Sequence, residues 1–311
     1  MIPRMFLNEL SLKRLAEEIS TARERAISFV LTIRECASRG IERVLRTSED
    51  FRVHDIASGY NWYTWLKDSA VDLEIRRYFR SVTTKAPFSE GESEREDTWR
   101  DIDCLWQGRP SSGLKAAYVA DGLAVSLCSG DEWKAHLLEC EVREIIDADV
   151  DCRLESVRHA SDPKHVILHT EWIRQGIQAA VSNGRELWLH REYFPSLQFS
   201  PGVESNLVAL PSEALHCVVR VLFLLNSYCL DWHEGERFSP EKIGCPVSPE
   251  SRQTLEKYTD ERTFSCGDGE KRLFSWHAKP GKWRIYFDPA PGPGQLYVGY
   301  VGKHLPTVKF G

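Results

Sequence analysis

The chain has 311 residues, of which 42% are hydrophobic, 28% charged and 11% aromatic. This composition excludes a disordered, collagen-like or coiled-coil-only chain, and the length suggests two or three domains. The formal charge of −6 is uneven: residues 1–87 carry +3, residues 88–260 carry −13 and residues 261–311 carry +4. The C-terminal stretch is therefore a basic island on an acidic protein, which suits a phosphate-bearing partner.

The longest apolar run, residues 218–225, is interrupted by Arg220 and falls well short of the roughly 20 residues that span a bilayer. The first 25 residues alternate charged and apolar groups, without the apolar core of a secretory signal, so the expected location is cytoplasmic. Nine cysteines are scattered with no CxxC pair, which predicts reduced, mostly buried thiols rather than a disulfide framework or a four-cysteine zinc site.

Leu12, Leu15, Ile19, Ala22, Ala26, Phe29, Val30, Ile33 and Ala37 recur at spacings of three and four, and Gly40 supplies a stop. That pattern predicts a long amphipathic first helix. The aromatic cluster at residues 59–65 reads as a packing seam, and a second helix is expected over residues 68–84. Residues 89–113, rich in acidic residues and then in Gly, Pro and Ser, read as a linker or surface loop. Beyond them the period changes to two. Residues 115–120 and 123–128 flank Asp121-Gly122, a hairpin-turn dipeptide, and further strands are expected over 136–145 and 150–159. Asp162-Pro163 marks a helix start running toward Asn183-Gly184. A strand is expected at residues 186–193, a buried helix at 213–230 and another helix from Ser248-Pro249 to about Arg262.

The C-terminal strands are the most legible. Residues 271–278 and 283–287 are joined by Lys279-Pro280-Gly281-Lys282, with Pro and Gly placed as a type II turn requires. Placing Ala278 opposite Trp283 sets Trp276 against Ile285 and Phe274 against Phe287, leaving Ser275, His277, Arg284 and Tyr286 on the other face. A third strand, residues 296–301, ends in Gly302-Lys303-His304.

The order strand, two helices, three-stranded meander from residue 185, with Trp283-Arg284-Ile285-Tyr286-Phe287 and the run from Leu296 to His304, resembles the RelE/ParE toxin superfamily, including its HigB-like branch. The resemblance implies a β-α-α-β-β-β unit and metal-free cleavage of mRNA, usually on the ribosome. It implies His277 or His304 as acid and base, Arg284 and Lys303 as phosphate clamps and Tyr286 as a stacking or proton-bearing group. It requires no cofactor, and it allows an antitoxin or another protein partner.

Other constellations are weaker. His165 and His169 stand four apart near His159, a spacing that can chelate zinc, but the HExxH order is absent. No GxxxxGK[ST], GxGxxG or GxSxG appears. The expected architecture is α+β: a helical N-terminal region (1–88), the acidic linker (89–113), an antiparallel meander plus helix (114–184) and a RelE-like region (185–311). The expected function is RNA binding with endoribonucleolytic cleavage. The alternative is a non-catalytic interaction component of a bacterial phage-defence or toxin–antitoxin complex.

Overall fold

Asn8 follows a three-residue apolar strand, and its side chain accepts from the backbone N–H of Leu10 to open a short 3-10 turn. In the computed structural model, which describes residues 2–48, 50–83, 101–146 and 149–308, that strand is an inner strand of a sheet, one place from its edge. Residues 2–37 and 41–172 form one compact unit, and residues 38–40 and 173–311 form the other. Both mix helices and strands, so the protein is α+β.

The strands of the first unit are β1 (Met5–Leu7), β2 (Leu45–Arg46), β3 (Asp55–Ala57), β4 (Tyr60–Asn61), β5 (Ile102–Trp106), β6 (Arg109–Pro110), β7 (Leu123–Val125), β8 (Leu137–Ile146) and β9 (Asp149–Ala160). Seven of them form one sheet in the order β2-β1-β7-β9-β8-β5-β6. β9 is the pivot, parallel to β7 and antiparallel to β8. The N-terminal region is helical only in part, because β1 and β2 belong to this sheet. Met5, Phe6 and Leu7 are all buried, and a strand covered on both faces carries no polar–apolar alternation to read. The central sheet is likewise not a purely antiparallel meander. The first helix is shorter than its pattern suggests, running Ile19–Ser38. The aromatic seam is real: Trp62 and Trp65 are fully buried, with the Trp62 ring 4.8 Å from that of Phe79.

The hairpin expected around Asp121-Gly122 is a helix instead. Residues 115–119 lie in the helix Ser112–Val119, whose Ser111 side chain accepts from Leu114 N–H. Glu9 adds a second cap, its carboxylate accepting from the N–H groups of Ser112 and Gly113 at 2.6 and 2.9 Å. A cap supplied from so far along the chain outweighs the local turn signal. Asp121 does take a positive φ of 48°, but the turn leads from a helix into β7. The acidic part of the linker, residues 89–100, lies outside the described residues, whereas residues 101–113 supply β5, β6 and the helix start. Asp162 caps the helix Pro163–Leu168 as expected, but the chain breaks at His169 and restarts as Thr170–Ala180.

The second unit holds β10 (Leu197–Phe199), β11 (Val247–Pro249), β12 (Thr263–Ser265), β13 (Lys271–Leu273), β14 (Trp276–Ala278), β15 (Arg284–Asp288) and β16 (Leu296–Gly302). Its main sheet has the order β10-β16-β15-β14-β11, and β12 and β13 form a separate ribbon. The strand expected at 186–193 is the helix Gly184–Leu189, capped by Asn183, followed by a 3-10 turn. β10 takes the strand's place and runs parallel to β16. The helix expected from Ser248 starts only at Arg252, behind a Ser251 cap, and ends at Lys257. The helix Ser212–Asp231 is long and apolar enough to cross a bilayer, and most of it is buried in the structure.

Candidate functional site

His277 lies on β14 directly opposite Tyr286 on β15. The register differs from the expected one: Trp276 faces Phe287 and Ala278 faces Ile285. Trp283 belongs to the turn, its N–H bonded to Pro280 carbonyl, so the pairing slips by two residues. A two-residue slip preserves the side-chain parity, and His277, Arg284 and Tyr286 stay on one face.

That face is closed from the side by β11, which pairs with β14 through Ser248 and His277. The chain leaving β11 presents Glu250, and the chain leaving β16 presents His304. Together Ser248, Glu250, Ser251, Thr254, His277, Lys279, Arg284, His304 and Thr307 border a cavity of about 470 Å³. Three of the five residues singled out from sequence, His277, Arg284 and His304, thus line one cavity. Tyr286 lies fully buried behind it, its hydroxyl donating to Glu250 Oε1 at 3.0 Å. Its hydroxyl holds a carboxylate, and its ring is not among the residues that line the cavity. Lys303 is exposed and is not among the lining residues.

Glu250 and Arg262 were not singled out from sequence, and they organise the site. The Arg262 guanidinium is fully buried; its Nη2 donates to Pro306 carbonyl at 2.7 Å and to Glu250 Oε1 at 3.3 Å. The Glu250 side chain is only 5% exposed, so this is a buried ion pair bordering a cavity. His277 Nδ1 approaches the same oxygen at 3.4 Å, yet among the described residues it has no hydrogen-bond partner, and its side chain is buried. Burial, against the opposing pull of Glu250, pushes the His277 pKa down to about 4, with Lys279, His304 and Arg284 adding to the depression. The ring is therefore neutral at pH 7. Burial and then the Glu250 charge push the Tyr286 phenol up, so it remains a donor.

Arg284 has its Nη1 on the carbonyls of Gly281 and Trp283 at 3.2 and 2.6 Å, while its Nε is unpartnered. Among the described residues no carboxylate pairs with it. Lys279, which follows His277 on the same strand face, donates to Ser248 Oγ at 2.7 Å. Its two-residue spacing from His277 was a signal available in the sequence. The His304 ring centroid is 5.6 Å from that of His277, and its Nδ1 is 2.7 Å from Leu305 carbonyl. The site thus holds two histidines, one buried carboxylate, one buried guanidinium and two further cations facing the cavity. That balance favours an anionic ligand.

The histidines of the first unit form no comparable set. His159 places its ring nitrogens against Ala135 carbonyl and Ser126 Oγ, and His169 Nε2 lies against the carbonyls of His136 and His159. His165 Nδ1 accepts from Ser161 N–H. These nitrogens hold backbone groups and, at His159, one serine hydroxyl.

Set against protein-family models, curated proteins and solved structures, the chain matches none of them.

Proposed function

We propose that the second unit is a RelE-like RNA-binding module whose cavity cleaves a phosphodiester by acid–base chemistry in the cytoplasm, in a toxin or phage-defence setting. The observation that carries this reading is the convergence of His277, Arg284 and His304 on one cavity, whose wall holds two cations, Arg284 and Lys279, that pair with no carboxylate among the described residues. A neutral imidazole at His277 is suited to take the proton of the ribose 2′-hydroxyl as O2′ attacks phosphorus. Arg284, with its forked donors, and Lys279 neutralise the non-bridging oxygens of the transition state. His304, the exposed partner, delivers the proton to the departing 5′-oxygen, leaving a 2′,3′-cyclic phosphate and a 5′-hydroxyl. Glu250, held by Tyr286 and Arg262, lies 3.4 Å from His277 Nδ1 and stabilises the imidazolium formed once His277 takes the proton.

The test is to induce the protein in bacteria and map new RNA 5′ ends. New 5′-hydroxyl ends that disappear in Arg284→Ala and His304→Ala support the reading. Ends that persist in both variants, or an absence of new ends with the wild type, refute it.

A further inference from the structure

Glu250, His277 and His304 each offer one donor atom, and these atoms lie within 4.8 Å of one another. We propose that they form a binding site for a divalent transition-metal ion, Zn2+ by preference, which shuts off the cleavage by occupying both acid–base histidines. The binding site stands on geometry alone; only its inhibitory effect rests on the function proposed above.

Two features point to a metal. The first is the buried His277 Nδ1, which has no hydrogen-bond partner among the described residues although Glu250 Oε1 is 3.4 Å away. Two ligands of a tetrahedral zinc, each about 2.1 Å from the ion, stand about 3.4 Å apart. An unsatisfied buried nitrogen at that separation from a carboxylate oxygen has the disposition of a ligand pair rather than of a hydrogen bond. The second is the support around the ligands. Glu250 receives Tyr286 hydroxyl at 3.0 Å and Arg262 at 3.3 Å, and His304 turns one ring nitrogen to Leu305 carbonyl at 2.7 Å. Outer contacts of this kind fix the tautomer and orientation of metal-binding side chains. His304 is exposed, so its ring closes the remaining distance to the other two ligands by a small shift that leaves the core undisturbed.

Two imidazoles and one carboxylate suit zinc better than magnesium or calcium, which take oxygen ligands. Three protein ligands leave a fourth position open toward the cavity, for water or a phosphate oxygen. Arg262 offsets the Glu250 charge, so binding is expected to be reversible rather than structural. A nitrogen whose lone pair is on zinc cannot carry a proton, and this makes the ion an inhibitor of proton shuttling.

The experiment is calorimetric titration of the full chain with Zn2+, repeated with Co2+ while recording its visible absorption, for wild type, His304→Ala and Glu250→Gln. The expected result is one equivalent bound, a tetrahedral Co2+ spectrum, and affinity lowered by at least about tenfold in each variant. His304→Ala alters an exposed residue, so its effect is not confounded by misfolding. No binding, or binding that both variants leave unchanged, as at a pair of the cysteines, would overturn the site. RNA cleavage assayed with chelator and with added Zn2+ separates the two claims. Activity that survives chelation and falls with zinc supports inhibition, and activity that requires zinc overturns it while leaving the metal site in place. Metal binding without any cleavage would overturn the inhibitory role and the proposed function together, again without touching the site.

Discussion

Arg262 Nη2 sits 3.3 Å from Glu250 Oε1, and the two side chains are 0% and 5% exposed. Neither charge is solvated, so each depends on the other. Replacing Arg262 by Met, of similar length, leaves the Glu250 carboxylate at the cavity wall with only the Tyr286 hydroxyl as donor. The expected loss is about 3–5 kcal/mol of unfolding free energy, the usual consequence of breaking one side of a buried pair. Urea unfolding measures it, and a second replacement, Glu250→Gln in the Arg262→Met background, is expected to recover part of the loss.

Arg284 makes a contrasting prediction. Its side chain donates to two turn carbonyls and pairs with no carboxylate among the described residues. Arg284→Ala should change stability by less than about 0.5 kcal/mol while weakening RNA binding. Fluorescence anisotropy against salt should show the slope of log affinity falling by about 0.7, the value for one phosphate contact on a single strand. An unchanged slope would remove Arg284 from the phosphate-contacting set.

In the first unit, His159 is fully buried and burial pushes its pKa down to about 4, with His165, His169 and His136 adding repulsion and Ala135 carbonyl opposing it. The unfolded chain binds a proton at the ordinary value near 6.5. Stability from this group is therefore complete above pH 6.5 and lost as pH falls toward 4. The full effect is on the order of 3 kcal/mol. Urea midpoints between pH 7.5 and 4.5, a range chosen to bracket about 6.5, should decline in the wild type and decline less in His159→Gln.

Gly113 offers a test of sign. Helix propensity alone says that alanine there should stabilise by about 1 kcal/mol. A Cβ on Gly113 would stand 1.8 Å from Leu7 carbonyl oxygen and 2.8 Å from a Glu9 carboxylate oxygen. The backbone of β1 cannot yield as a flexible side chain can, so Gly113→Ala is expected to destabilise by about 1–3 kcal/mol. A thermal melt decides between the two.

The elements legible in sequence were those whose signal is local. The helix Ser212–Asp231, the Asp162 cap and the strands β8, β9, β15 and β16 all follow from periodicity or a cap within a few residues. The misread elements depended on distant partners. Residues 115–119 became helix because Glu9 caps them, and β1 is a strand because β7 and β2 flank it. The site divides in the same way. His277, Arg284 and Tyr286 could be placed on one strand face because a register error of two residues leaves that face intact. Glu250 could not, because it meets Tyr286 and Arg262 across 36 and 12 positions of chain, and one glutamate beside a helix cap carries no mark of such a meeting.

The sheet order of the first unit bears on how the chain is made. Met5 pairs with Leu45 and Leu123, and β7 in turn with His159 and Ala160 of β9. At roughly 5–20 residues per second, the ribosome needs on the order of ten seconds after β1 emerges before β7 exists to cover it. During that interval a wholly apolar segment waits in a nascent chain with one edge neighbour at most. Synthesis of this protein is thus a race between translation and stray association, and β1 depends on whatever shelters the emerging polypeptide until its late partner strand arrives.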